Sequence, residues 1–194
     1  MSVRDTLEKW LLENDFITLN EARNLDITPM QLSRMVAKGE LFRVERSIYT
    51  RDFDWLTDSL KKYCPACVLV PDAVISGVSA LTYHNLTDQE ERQIGITLPV
   101  NKRLKDPRYR ITRACGANYS LGIMVHNFGE HEVRIYDIEK SVVDAFKYQT
   151  DEVAFKALKG YLQRKDKNVS KLCKYARKMR KPLDKIVAAL IADN

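Results

Sequence analysis

Residues 27–50 read ITPMQLSRMVAKGELFRVERSIYT, and the fold turns on how this stretch is parsed. Its first half has the punctuation of a helix. Thr28 stands at an N-cap, Pro29 at N1 where its missing N–H costs nothing, and Gln31 at N3, which completes a capping box. Ile27 and Leu32 have the spacing of a hydrophobic staple, and Gly39 suits the position just past the helix end. Leu32, Met35 and Val36 then face inward, while Gln31, Arg34 and Lys38 form an opposite stripe with Ser33 beside it. The second half is a short apolar-basic ribbon. Leu41, Val44, Ile48 and Tyr49 interleave with Arg43, Glu45 and Arg46, the pattern of a small hairpin.

Two helices precede it. The first runs from about Val3 to Asn14, with Leu7, Trp10 and Leu11 on one face. The second, in TLNEARNL, carries Thr18 and Glu21 as a capping box and Leu19, Ala22 and Leu25 as an inner face. Helix, short helix, tight turn and capped helix make a helix-turn-helix, whose last helix enters the DNA major groove. A hairpin directly behind that helix reads as a wing. Thr28, Gln31, Ser33, Arg34 and Lys38 are therefore expected at the DNA, since Gln suits adenine, Arg suits guanine and Ser suits either. Arg43 and Arg46 are expected at flanking phosphates or the minor groove. The competing reading is a small helical bundle with an ordinary polar face. The charge of residues 1–50, 7 Lys and Arg against 8 Asp and Glu, favours that competitor.

The 194-residue chain has a net charge of +6, and the excess is confined to its end. Residues 51–150 hold 13 charges of each sign, and residues 151–194 hold 12 basic against 5 acidic. The terminal segment should attract polyanions, nucleic acid above all. Along KLCKYARKMRK, Lys171, Lys174, Arg177, Lys178 and Lys181 form a broad basic face, and Leu172, Tyr175, Ala176 and Met179 pack inward.

Between the two ends, residues 51–65 read as a linker helix and PDAVISGVSALTYHNLTD as a helix capped by Asp72. QIGITLP, YRITRA, GIMVHNF and HEVRIYD read as strands, and four helical segments follow from Ile138 onward. The expected fold is α+β: a winged helix-turn-helix over 1–58, then a mixed α/β domain over 59–194 that ends in basic helices.

Enzymatic signatures are missing. There is no phosphate-binding glycine loop, no H-E-x-x-H, and no acidic residue with Lys two positions later. YCPAC (63–67) has redox spacing, but VLVP behind it reads as a strand, and two ordinary thiols are expected. No catalytic residue, metal or cofactor is expected. No apolar run reaches the ~20 residues of a membrane span, and the N-terminus lacks a signal-peptide core, so the chain is expected in the cytoplasm with no membrane partner.

The capped helix and wing of 27–50, PDAVISGVSALTYHNLTD, and VRIYDIEKSVVDAFKY together resemble the AbiEi family of antitoxins and transcriptional regulators from abortive-infection, type IV toxin–antitoxin systems. The resemblance implies a repressor of its own promoter that binds inverted-repeat double-stranded DNA, as a monomer in solution or a cooperative pair on DNA. It also implies a C-terminal domain that counteracts a nucleotidyltransferase toxin without having to touch it. The family tends to carry Gly at the wing turn, where this chain has Ser47. The alternative function is an RNA- or tRNA-binding protein acting through the basic C-terminal helices.

Overall fold

The computed structural model describes residues 2–45, 47–52 and 60–192. It is a mixed α+β structure with two sheets, and the chain divides into two compact units, Met1–Leu69 with His126–Val133, and Val70–Val125 with Arg134–Asn194. The boundary expected at residue 58 and residues 53–59 of the expected linker helix fall outside the described residues.

In the first unit, α1 (Val3–Glu13), α2 (Leu19–Asn24) and α3 (Pro29–Ala37) each start at a capping box, on Ser2, Thr18 and Thr28. The sequence marks each start because the cap satisfies amides that have no partner inside the helix. A three-stranded sheet follows the order β1 (Ile17–Thr18), β3 (Ile48–Thr50), β2 (Phe42–Glu45), all antiparallel. Strand β1 is a strand pair that the sequence did not announce. Leu7, Ile17, Ala22, Ile27, Leu32, Leu41 and Tyr49 form one core, with Trp10, Met35 and Val36 packed against it. Gly39 ends α3 at φ +72°, and Ser47 turns the hairpin at φ +76°.

Residues 126–133 complete this unit. His131 stacks on Phe16 with ring centroids 3.9 Å apart, and the Glu130 amide donates to Asn14 Oδ1 at 2.9 Å. Gly129, at φ +59°, has room for nothing larger: a Cβ there would lie 2.4 Å from Asn14 Oδ1. The strand expected over VLVP (68–71) does not form: helix α4 (Cys64–Leu69) runs through CPAC and ends on the first two residues of that segment, preceded by a 3₁₀ turn over Lys61–Tyr63. VLVP is a short apolar run, and periodicity alone cannot separate a buried strand from a buried helical turn at that length.

The second unit is built on a five-stranded sheet of order β6-β5-β4-β8-β7. Its strands are β4 (Val74–Ile75), β5 (Ile94–Pro99), β6 (Tyr109–Ala114), β7 (Ile123–Phe128) and β8 (His131–Tyr136). β4 lies antiparallel to β5 and parallel to β8, and β5 is parallel to β6. β4 corrects the expected helix over 72–88. Val74 and Ile75 are β-branched, fully buried and central in the sheet, and the helix α5 (Gly77–Tyr83) begins only after Ser76. Asp72 is not a cap; it sits at φ +72° and pairs with Lys102 at 3.0 Å. A short helix α6 (Ala117–Ser120) links β6 to β7. Helices α7 (Ile138–Tyr148), α8 (Asp151–Gln163), α9 (Val169–Lys178) and α10 (Asp184–Ala192) pack with α5 around a core that includes Leu81, Val143, Phe146, Leu158, Tyr161, Leu172 and Val187.

Candidate nucleic-acid interface

The face of α3 opposite Leu32 is where the sequence-derived candidates meet. Ser33, Arg34 and Lys38 are exposed, and Gln31 is half-buried. Gln31, Arg34 and Lys38 line one shallow cavity of about 260 Å³ together with Met35, Glu40 and Arg4 from the first turn of α1. Neither Arg34 nor Lys38 makes an ion pair among the described residues, so both cations are available to an external anion. Arg4 was not singled out from the sequence. It pairs with Glu8 at 3.3 Å, and its place beside α3 is a tertiary contact that no local pattern encodes.

Two of the candidates hold the helix itself. The Thr28 hydroxyl accepts from the Gln31 amide at 3.3 Å and donates to Gln31 Oε1 at 2.9 Å, while the Thr28 amide donates to the same oxygen at 2.7 Å. Reading adenine with both ends of a Gln side chain requires that oxygen to accept from the base. With the capping box closed, Oε1 is occupied and only the NH₂ group of the Gln31 side chain is left to offer. Thr28 and Gln31 thus set the start and angle of α3, and Ser33, Arg34 and Lys38 carry its outward chemistry. Met30, on the first turn and 63% exposed, also faces out. It fell off the inward stripe in sequence, and a thioether there suits the methyl group of thymine.

On the hairpin, Arg43 is exposed, and its Nε donates to the Glu45 carbonyl at 3.4 Å. Arg46 lies outside the described residues. Residues 5–51 match the family model for AbiEi antitoxin transcriptional regulators. No curated protein matches the chain. The AbiEi match spans α1 through β3 and stops there, so the motifs in 71–88 and 133–148 that carried the rest of the resemblance lie beyond it.

In the second unit, α9 buries Leu172, Ala176 and Met179 and leaves Lys174, Arg177, Lys178 and the following Lys181 exposed. Lys171 departs from the expected stripe. Its ammonium pairs with Glu139 Oε2 at 2.8 Å and Asp137 Oδ2 at 3.1 Å. Burial alone would lower its pKa, but those two hydrogen-bonded carboxylates outweigh it and hold the group above the ordinary lysine value. Tyr175 and Tyr161 also donate to Asp137 and Glu139, each at 3.1 Å. Lys171 is a structural cation that fixes α9 to the start of α7, unlike the other cations expected on this face, which form no such pair among the described residues.

A second internal pair lies on α7. Lys140, fully buried, reaches Asp144 at 2.5 Å and stands over the Tyr136 ring at 4.0 Å. Burial pushes Asp144 up to about 6 against the pull of Lys140, and it lowers Lys140. Neither belongs to an exposed site. His84 is likewise internal: its Nε2 lies 2.8 Å from the Tyr136 carbonyl, an acceptor only, so that nitrogen carries the proton. Among the described residues no group of three His, Cys, Asp or Glu side chains could hold a metal, and no helix is long and apolar enough to cross a membrane.

Proposed function

We propose that the chain is a DNA-binding transcriptional repressor and antitoxin of the type IV kind, in which the first unit is a winged helix-turn-helix. The supporting observation is α3: a doubly capped helix whose outward face presents Ser33, Arg34 and Lys38 with no carboxylate partner among the described residues. On this reading α3 enters the major groove of an inverted repeat at the chain's own promoter, with Arg34 at a guanine edge and Lys38 and Arg43 at phosphates. Arg46 shares the wing role. Lys174, Arg177, Lys178 and Lys181 of the second unit supply the sequence-independent attraction that residues 1–50, with their net charge of −1, do not.

The antitoxin role extends the family match beyond residues 5–51 to a nucleotidyltransferase toxin encoded alongside, with no contact between the two proteins required. A reporter fused to the chain's own upstream region is the test, run with and without the chain and in parallel with co-expression of the neighbouring nucleotidyltransferase. Repression of the reporter and rescue of growth support both roles. A reporter indifferent to the chain removes the repressor reading. The basic face of α9 favours a second reading, RNA binding through the second unit, which retention of a structured RNA with equal or greater affinity than the promoter duplex would support.

A further inference from the structure

Four cations of the second unit converge on a place where none has an anionic partner. Lys147, in the last turn of α7, and Lys178, Arg180 and Lys181, at the end of α9, line a single cavity of about 530 Å³ whose opposite wall carries Cys115 and Asn118. No carboxylate lines it. Lys147 donates to Asn118 Oδ1 at 2.8 Å, and none of the four forms an ion pair among the described residues.

Helix ends attract cations, and that simpler account has to be weighed first. Two helices finish here, and each C-terminus carries the equivalent of about −0.5 charge. Together they offset roughly one of the four positive charges. Of the remaining surplus of about +3, Lys147 is partly engaged, by Asn118, by the Tyr148 ring 5.4 Å away and by the field of buried Asp144, while Lys178, Arg180 and Lys181 form no ion pair among the described residues. The backbone points the same way. Arg180 sits at φ +56°, immediately past the end of α9, and the Lys181 amide closes the turn on the Ala176 carbonyl at 2.9 Å. Glycine ordinarily fills that position because an L side chain is strained there. Retaining a guanidinium in a strained conformation beside three lysines is the kind of outlier that accompanies a binding site.

We propose that this cavity binds the di- or triphosphate chain of a small ligand, either a free nucleotide or an inorganic polyphosphate. Its volume lies within the roughly 300–1,000 Å³ typical of small-molecule sites. Its cations arrive from two helices and a turn, so several phosphate oxygens can be held at once. A duplex presents phosphates on a convex surface, whereas a recess selects the end of a small chain; Lys178 and Lys181, named above among the duplex-attracting cations, line the recess and take the small chain instead, which leaves Lys174 and Arg177 to the duplex. With Asn118 Oδ1 engaged by Lys147, the Asn118 NH₂ group remains to donate to the ligand.

The test is calorimetric titration of the full chain with tripolyphosphate and, separately, with adenosine and guanosine triphosphates, alongside the rate of Cys115 alkylation read by mass spectrometry. The expected result is saturable binding that slows alkylation of the exposed Cys115 and weakens about tenfold or more in Lys147→Ala and in Arg180→Gly. Arg180→Gly relieves the backbone strain, so its melting temperature should stay level or rise, which separates lost binding from lost folding. Tighter binding of the nucleotides than of tripolyphosphate assigns a nucleoside partner; equal binding assigns the phosphate chain alone. Absence of saturable binding, or undiminished affinity in both variants, overturns the proposal. So does a result in which tripolyphosphate fails to bind while both variants lose affinity for duplex DNA, which would place a backbone phosphate in the cavity.

Discussion

In the proposed repressor role, Arg34 is the side chain on which base reading would rest. It is exposed, unpaired among the described residues, and projects from a helix whose start is fixed by two reciprocal hydrogen bonds. Arg34→Ala should weaken binding to the promoter repeat by about 1–3 kcal/mol and relax preference at one base pair, measured on a panel of singly substituted duplexes. Uniform weakening across the panel would make Arg34 a phosphate contact. Ser47 offers a test with the opposite sign. It holds φ +76° at the hairpin turn, where an L residue is strained by about 1–2 kcal/mol, partly offset by the lower chain entropy of Ser in the unfolded state. Ser47→Gly should therefore stabilise the chain by roughly 0.5–1 kcal/mol in urea unfolding. His84 adds a pH dependence. Burial holds its pKa below the ordinary 6.5 despite its bond to the Tyr136 carbonyl, so the unfolded chain binds its proton more readily. Stability should be lost as pH falls through 6.5, and the His84→Gln variant should lose less over that window. The comparison between the two proteins cancels the contribution of Asp144, whose raised pKa acts in the other direction.

Elements differed in how far the sequence disclosed them. Helices α1, α2 and α3 and the four from Ile138 onward were legible, because caps and a helical apolar period mark them locally. β4 and α4 were not. Val74–Ile75 and Cys64–Leu69 are short and apolar, the first fully buried and the second buried over Cys64, Pro65 and Ala66, and at such length the partner across the sheet or core decides the conformation. The docking of Glu130 and His131 onto Asn14 and Phe16 was invisible for the same reason: a hairpin can be read from FGEH, but the surface its tip meets cannot. In the candidate site, the pattern gave the outward face of α3 but could not show that Gln31 Oε1 is occupied or that Lys171 is internal. Helix α7 carries its own prediction. Lys140→Met leaves Asp144 buried without a cation and should cost about 3–5 kcal/mol in urea unfolding, whereas Lys140→Met with Asp144→Leu should recover most of that loss. A double variant as unstable as the single would mean that packing, not the ion pair, is what α7 requires.

At the scale of the molecule, the proposed role divides charge between sequence reading and attraction. Residues 1–50 carry a net −1 and residues 151–194 a net +7, so selectivity and general affinity should be separable by mutation. Replacing Lys174 and Arg177 with Ala should lower the slope of log K against log salt by about 2, close to 0.9 for each phosphate released, with base preference unchanged. An unchanged slope would remove α9 from the DNA. The central claim is that this chain distinguishes one DNA sequence from others. The most direct measurement titrates the full chain against the inverted repeat of its own upstream region and against a shuffled duplex of equal length, at one fixed physiological salt concentration. The account predicts at least about a 10³-fold tighter complex with the repeat, the lower end of what specific DNA-binding proteins achieve. Equal affinity for the two duplexes would contradict it.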